Sequence, residues 1–132
     1  MYPGAGDSSF DQAFSHVLEP IAESYNPDFI LVSVGYDGHF MDPLTNLGLS
    51  TSGFAMMNSR LKQMANSCAD GRIVCFLEGG YNLEAIAHSV KATFDVLLGK
   101  TVIDDPIGQP HHRGPIPSID HMLIKVKQIH QL

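Results

Sequence analysis

The sequence of 132 residues has no tryptophan, only two cysteines, and eight Lys and Arg against fourteen Asp and Glu. With a net charge of −6 and scattered basic residues, we expect no nucleic-acid binding, because phosphate recognition requires clustered Lys and Arg. No apolar run reaches the roughly 18 residues that a membrane helix needs, so we expect no membrane partner. The N-terminal residues lack the basic and apolar regions of a signal peptide, which makes the cytoplasm the expected compartment. Cys75 lies in an apolar segment, which favours a buried reduced thiol; a disulfide with Cys68 is the alternative.

Two short apolar segments, residues 29–34 and 72–77, have the pattern of strands buried on both faces of a parallel sheet. Apolar residues at helical spacing predict helices over about 10–25, 51–69 and 83–98. We expect a kink at Pro20, because proline lacks the N–H of a helical residue and clashes one turn back. This order of elements predicts an α/β fold, a parallel sheet with helices on both faces. Two strands are too few for a stable sheet, so we expect further short strands or a larger sheet of which this is part.

Prolines and glycines change the composition towards the end of the chain. Residues 1–99 form the main α/β unit, residues 100–117 are predicted to be an irregular connection, and residues 118–132 an amphipathic helix. This last helix is expected to pack on the body or on a partner. His111 and His112 lie in the irregular connection, and we interpret them as exposed loop histidines rather than metal ligands.

Asp37 follows the first predicted strand, where open α/β sheets place their functional groups. A carboxylate there suits a divalent metal ion or a general base. The simpler interpretation is a loop aspartate that accepts backbone N–H bonds. His39 makes an Asp-x-His pair with Asp37, which is a weak signal for metal ligands. Asp42-Pro43 is interpreted as the start of a turn.

Gly79, Gly80 and Tyr81 follow the second predicted strand. Two adjacent glycines allow a close backbone approach or a positive φ. If the strands are parallel neighbours, this loop lies at the same edge as Asp37, and the Tyr81 phenol is placed to hydrogen-bond an oxyanion. The alternative is a tight turn with a packed tyrosine.

Three segments in order resemble the histone deacetylase superfamily, including its acetoin utilisation and acetylpolyamine amidohydrolase members. These segments are Pro3-Gly-Ala-Gly-Asp7, the stretch from Asn26 to Asp37 followed by Asp42-Pro-Leu44, and Leu77-Glu-Gly-Gly-Tyr-Asn-Leu83. The resemblance covers residues 3–99 and implies the C-terminal portion of an arginase-like α/β fold.

The resemblance also implies hydrolysis of an N-acetyl amide, on acetyl-lysine or an acetylpolyamine, at a zinc centre. Asp37 would be one of three zinc ligands, and Tyr81 would donate its phenol to the oxyanion. Gly79, Gly80 and Leu44 would line the channel for the acetylated side chain, and His39 would not be a ligand.

The family's tandem histidines and its Asp-x-His ligand pair lie upstream of these segments and have no counterpart here. The resemblance therefore implies a fragment that is inactive alone and that requires the missing N-terminal part or another chain. The alternative function is a non-catalytic α/β module that associates with a partner through its sheet edge, or forms an oligomer.

Overall fold

The structure, a computed structural model, describes residues 1–111 and 116–132. Its helices and strands are α1 (Asp7–Ala13), a π turn (Phe14–Leu18), α2 (Glu19–Tyr25), β1 (Ile30–Val34), a 3-10 turn (Tyr36–Gly38), α3 (Thr51–Cys68), β2 (Ile73–Leu77), α4 (Leu83–Leu97) and α5 (Asp120–His130). The element types agree with the sequence prediction. His111 is exposed as predicted, whereas His112 lies outside the described residues. No helix in the described ranges is long and apolar enough to cross a membrane.

The first helical segment contains the irregularity expected at Pro20. It takes the form of a π turn over Phe14–Leu18, after which the chain continues into α2 with Pro20 in its first turn. Proline has no N–H to donate and its ring crowds the carbonyl four residues earlier. A π turn shifts the hydrogen-bond pattern by one residue, so the helix passes the proline without ending.

β1 and β2 pair in parallel, with Ile30 opposite Ile73 and Val34 opposite Leu77. Side chains alternate between the two faces of a strand. Val34 points to the inner face, where it packs with Tyr36, Leu49 and Phe54 in the core beneath the sheet.

The outer face of the sheet corrects the prediction of strands buried on both faces. Leu31 is 68% exposed and Phe76 is 51% exposed, and Val74 is exposed beside them. Residues of α1, α3 and α4 pack against the inner-face cluster. The described helices therefore cover one face of the sheet and leave the apolar outer face open, because nothing in the described residues lies over it.

The helices begin and end at residues with suitable side chains. Ser50 caps α3 by accepting a hydrogen bond from the N–H of Gly53 at 3.0 Å. Asn82 caps α4 by accepting from the N–H groups of Glu84 and Ala85. Gly99, with a φ of +88°, follows the end of α4, where a left-handed residue is favourable.

The chain after α4 lies against the main body. Ile103 packs on the α3–α4 contact, and Asp105 accepts a hydrogen bond from the backbone N–H of Ser52 at 2.9 Å. Ile119, the residue before the last helix, and Leu123 within that helix are buried against Val17. This segment therefore packs on the main body, which was one of the two predicted possibilities; the other was packing on a partner.

Both cysteines are free thiols. Cys68 and Cys75 are each half-buried and make no disulfide. Burial raises the pKa of the Cys75 thiol, which keeps it protonated at neutral pH. The prediction of a reduced Cys75 thiol is confirmed, although the side chain is less buried than expected.

Candidate functional site

The loops that follow β1 and β2 lie side by side at the carboxyl ends of the strands. The N–H of Glu78 donates to the carbonyl of Val34 at 3.0 Å, and the N–H of Tyr36 donates to the carbonyl of Gly79 at 2.8 Å. These two bonds continue the parallel ladder beyond the strands. They bring the Asp37 loop and the Gly79-Gly80-Tyr81 loop together, as the sequence predicted for adjacent parallel strands.

The Asp37 side chain lies between two glycines. A Cβ atom added to Gly35 would be 2.5 Å from Asp37 Oδ1, and one added to Gly79 would be 2.8 Å from the same oxygen. The turn is anchored through its backbone, because the Thr45 hydroxyl donates to the Asp37 carbonyl at 2.6 Å. Within residues 1–111 and 116–132, the Asp37 carboxylate accepts no hydrogen bond. It therefore retains its oxygens for a ligand, and the two glycines provide the space in which it lies.

Gly80 has its own reason to be glycine. Its φ is +133°, a region that residues with a side chain rarely adopt. An added Cβ would also lie 3.0 Å from Ile86 Cδ1 and 3.1 Å from Tyr36 Cβ. Gly79 thus permits a close approach to Asp37, and Gly80 permits the turn that follows. Their role in lining a substrate channel stays a prediction.

Tyr81 and Leu44 project into solvent. The Tyr81 side chain is 57% exposed and Leu44 is 66% exposed. The Tyr81 phenol makes no hydrogen bond with any residue that the structure describes. Its position is therefore determined by the backbone that carries it, and the packed-tyrosine interpretation is not what the structure shows.

Asp42 makes the backbone contacts that the sequence interpretation offered as an alternative for Asp37. Its Oδ2 accepts from the N–H of Tyr81 at 2.6 Å and of Asn82 at 3.1 Å, and its Oδ1 accepts from the N–H of Leu44 at 3.0 Å. Sequence reasoning identified only a turn at Asp42-Pro43, and the bond to Leu44 is that turn. The bonds to Tyr81 and Asn82 join residues 39 and 40 positions apart in the chain, and no pattern in the sequence around Asp42 indicates them.

The pKa of Asp42 lies below its ordinary value. Burial of this 6%-exposed side chain acts to raise the pKa. The backbone N–H groups of Leu44, Tyr81 and Asn82 act in the opposite direction and together outweigh burial. Asp42 is therefore a buried anion held by backbone dipoles, and no cation pairs with it among the described residues.

His39, which lies between Asp37 and Asp42 in the sequence, is fully buried. Its Nδ1 accepts from the N–H of Met41 at 3.2 Å, and its Nε2 lies 3.4 Å from the hydroxyl of Thr51. Burial lowers the pKa of the imidazole, which favours the neutral form. Both nitrogens thus have protein partners, and the Asp-x-His ligand pair considered from the sequence has no support in this geometry.

A largely apolar cavity of about 390 Å³ lies beside β1 and beneath its loop. Its lining includes Phe10, Val32, Leu47, Phe54 and, among the predicted site residues, Asp37. Tyr81 and Leu44 do not line it, so the structure does not place all the predicted site residues in one enclosed pocket.

No cluster of three or more His, Cys, Asp or Glu side chains suited to hold a metal ion occurs in the described parts of the chain. At the carboxyl ends of the strands, Asp37 therefore offers one carboxylate that could bind a metal ion, without further ligands beside it among the described residues. A catalytic zinc site normally has three protein ligands and one open position. The donor set described here fits one ligand of such a site.

The histone deacetylase domain model matches residues 1–97, which is most of the chain. The chain belongs to the histone deacetylase family. It is 41% identical to the chloroplastic histone deacetylase 10 of Oryza sativa subsp. japonica over 98% of this chain and 30% of that protein. It is 43% identical to a probable deacetylase of Archaeoglobus fulgidus over 62% of this chain and 23% of that protein.

Solved structures of the family share the fold. The structure of the histone deacetylase Clr3 matches 97% of this chain and 20% of that chain, with a TM-score of 0.78 and 32% identity. The predicted family and its α/β fold are therefore confirmed. This histone deacetylase chain spans about a third or less of the relatives that it matches. The family is generally zinc-dependent.

Proposed function

We propose that this chain is the C-terminal segment of a zinc-dependent deacetylase that hydrolyses N-acetyl amides of lysine side chains or polyamines. In this proposal Asp37 supplies one zinc ligand and Tyr81 supplies the hydrogen-bond donor for the oxyanion. Gly79, Gly80 and Leu44 line the path of the acetylated side chain. Family membership supports the reaction class, and the roles of individual residues are those that the family resemblance implies.

The observation that carries the proposal is the setting of the Asp37 carboxylate. It lies at the carboxyl end of the sheet, between Gly35 and Gly79, without a hydrogen-bond donor among the described residues. A carboxylate that only stabilised its loop would accept backbone N–H bonds, as Asp42 does. A carboxylate whose oxygens are left available suits a metal ion.

Zinc bound beside Asp37 would polarise the acetyl carbonyl and lower the pKa of bound water to about 7. One carboxylate is insufficient to hold zinc tightly, so two further ligands must come from the missing N-terminal part of the enzyme or from another chain. The chain by itself is therefore expected to bind little zinc and to have no deacetylase activity.

Tyr81 is suited to its role because its phenol is exposed and makes no hydrogen bond to a described residue. A phenol O–H placed beside a developing oxyanion can donate a hydrogen bond to it. Removal of one such donor typically costs about 10² to 10³ in kcat.

A chimeric enzyme tests the proposal. This chain replaces the matching segment of the rice histone deacetylase, which aligns with 98% of it. Zinc content is measured by elemental analysis, and turnover is measured on an acetyl-lysine peptide and on an N-acetylpolyamine. We expect Asp37→Ala to lose both zinc and activity, and Tyr81→Phe to keep zinc and lose activity by about 10² or more.

Matched controls are Asp28→Ala and Tyr25→Phe, which alter exposed side chains away from the two loops. Both are expected to leave zinc content and turnover unchanged. An active Asp37→Ala chimera with one zinc would overturn the ligand assignment. Turnover by the isolated chain with added zinc would overturn the inference that its site is incomplete.

The open outer face of the sheet supports a second candidate, a non-catalytic module that associates with a partner chain. Leu31 and Phe76 form an exposed apolar surface on two strands whose other edges are unpaired among the described residues. This function does not require Asp37 or Tyr81. A chimera that assembles but stays inactive with both residues intact would favour it.

A further inference from the structure

We propose that Asp42 is a positioning residue for Tyr81: its carboxylate holds the Tyr81 backbone against the Asp37 loop and so fixes where the phenol lies. This inference rests on the proposed function of Tyr81. It goes beyond the predicted turn at Asp42-Pro43, which concerns only the bond within one loop.

The contacts form a clasp between the two loops. Asp42 Oδ2 accepts the N–H bonds of Tyr81 at 2.6 Å and Asn82 at 3.1 Å. In the opposite direction, Asn82 Nδ2 donates to the carbonyl of Met41 at 3.1 Å. Three bonds thus join residues 41–42 to residues 81–82, and a fourth, from the N–H of Leu44 to Asp42 Oδ1, fixes the orientation of the carboxylate.

These bonds matter because no hydrogen bond from the Tyr81 side chain itself holds the phenol in place among the described residues. Its phenol makes no hydrogen bond with the described residues, and more than half of its surface is exposed. The preceding residue, Gly80, has the conformational freedom of glycine at a φ of +133°. Without the bonds to Asp42, the turn that carries Tyr81 would be held mainly by the start of α4.

The charge of Asp42 strengthens these bonds. Asp42 is 6% exposed and has no cationic partner among the described residues. Hydrogen bonds to an ionised acceptor in such a setting are stronger than bonds between neutral groups. The N-terminal end of α4, which begins at Leu83, also carries partial positive charge towards the carboxylate.

The first test uses this chain and hydrogen exchange of individual amides followed by NMR. We expect Asp42→Asn to increase the exchange rates of the Tyr81 and Asn82 amides by about tenfold or more. The uncharged amide oxygen is a weaker acceptor than the carboxylate, and an NH2 group facing the N–H of Leu44 would repel it. Asp28→Asn, an exposed control, is expected to leave both rates unchanged. Unchanged exchange in Asp42→Asn would overturn the proposal, whatever Tyr81 does in catalysis.

A second variant covers the case in which Asp42→Asn does not fold. Asn82→Ser keeps a good cap for α4 but removes the donor to the Met41 carbonyl. We expect faster exchange of the Tyr81 amide in this variant and unchanged exchange in the middle of α4. Equal rates in wild type and Asn82→Ser would contradict the clasp.

The second test is a double-mutant cycle in the chimeric enzyme. Asp42→Asn is expected to lower kcat by about tenfold with little change in KM or zinc content, because it acts through the position of the phenol. In the Tyr81→Phe background the same substitution should have less than about a twofold effect. Equal losses in both backgrounds would show a general structural role and overturn positioning. If Tyr81→Phe itself stays active, the proposed function fails, and the exchange experiment alone decides whether Asp42 holds the loop.

Discussion

Replacement of Gly79 by alanine tests whether this glycine lets the second loop approach the Asp37 carboxylate. A Cβ at this position would lie 2.8 Å from Asp37 Oδ1 and 3.0 Å from Asp37 Cγ. Non-bonded carbon atoms prefer a separation of about 3.5 Å or more. The carboxylate or the loop must therefore move by about 0.5 Å, which is the tolerance within which functional groups must be held.

The displacement is expected to reduce function more than stability. A misplacement of about 1 Å costs about 10² in rate, so a shift of half that size predicts a loss of about tenfold in kcat/KM. Metal content should fall with it, because the displaced group is the proposed ligand. The carboxylate is partly exposed and accepts no hydrogen bond from a described residue, so we expect a loss of only about 1 kcal/mol in unfolding free energy.

The assays are turnover and zinc content of the Gly79→Ala chimera, with urea unfolding of the chain as a separate measurement. Gly108→Ala is the control, because an added Cβ there meets no atom within 4 Å while its φ of +76° introduces backbone strain. That control should lose stability by about 1 kcal/mol and keep its activity. A Gly79→Ala chimera with normal zinc content and normal kcat/KM would refute the reasoning.

Three further predictions concern pH, association and the core. The stabilisation by Asp42 should be present above its ordinary pKa of about 3.8 and be lost as the pH falls through its lower pKa in the folded protein. The difference in unfolding free energy between wild type and Asp42→Asn should therefore shrink on acidification, as measured by urea unfolding. Phe76→Lys should reduce self-association of the chain in sedimentation experiments, because it places a charge on the exposed apolar sheet face. Thr93→Val should lower the unfolding free energy by about 2 to 4 kcal/mol, because it leaves the buried donors of Tyr36 and Asn58 without their shared acceptor.

Controls separate these effects from general damage. A pH-independent difference between wild type and Asp42→Asn would show that the carboxylate is not the stabilising group. Tyr25→Lys changes an exposed residue outside the sheet and should leave association unchanged. Thr93→Ser keeps the hydroxyl and should cost much less than Thr93→Val; equal losses would contradict the hydrogen-bond explanation.

The local elements of the fold were predictable because their causes are local. Apolar spacing, the cap at Ser50 and the glycine at position 99 each act within one or two helical turns, and the observed helices begin and end close to the predicted residues. The irregularity at Pro20 was also predictable, although the sequence did not show that a π turn would absorb it.

The sheet shows where a local pattern misleads. A run of apolar residues predicts burial on both faces, yet burial depends on what lies over each face. In the described residues the helices pack on the inner face only, and Leu31 and Phe76 stay exposed. The apolar residues on both faces suit a strand that is covered on both sides. In the described part of this chain, helices cover only one side.

The sequence by itself determined the family, the parallel α/β order and the two loops that carry Asp37 and Tyr81, because ordered motifs and strand ends are visible along the chain. Only the tertiary structure decided how the loops are joined. The bonds from Asp42 to Tyr81 and Asn82, and the close approach of Gly79 to Asp37, connect residues about 40 positions apart. Such contacts arise when the strands pair, since pairing brings their carboxyl ends to one edge, and no spacing along the chain encodes them.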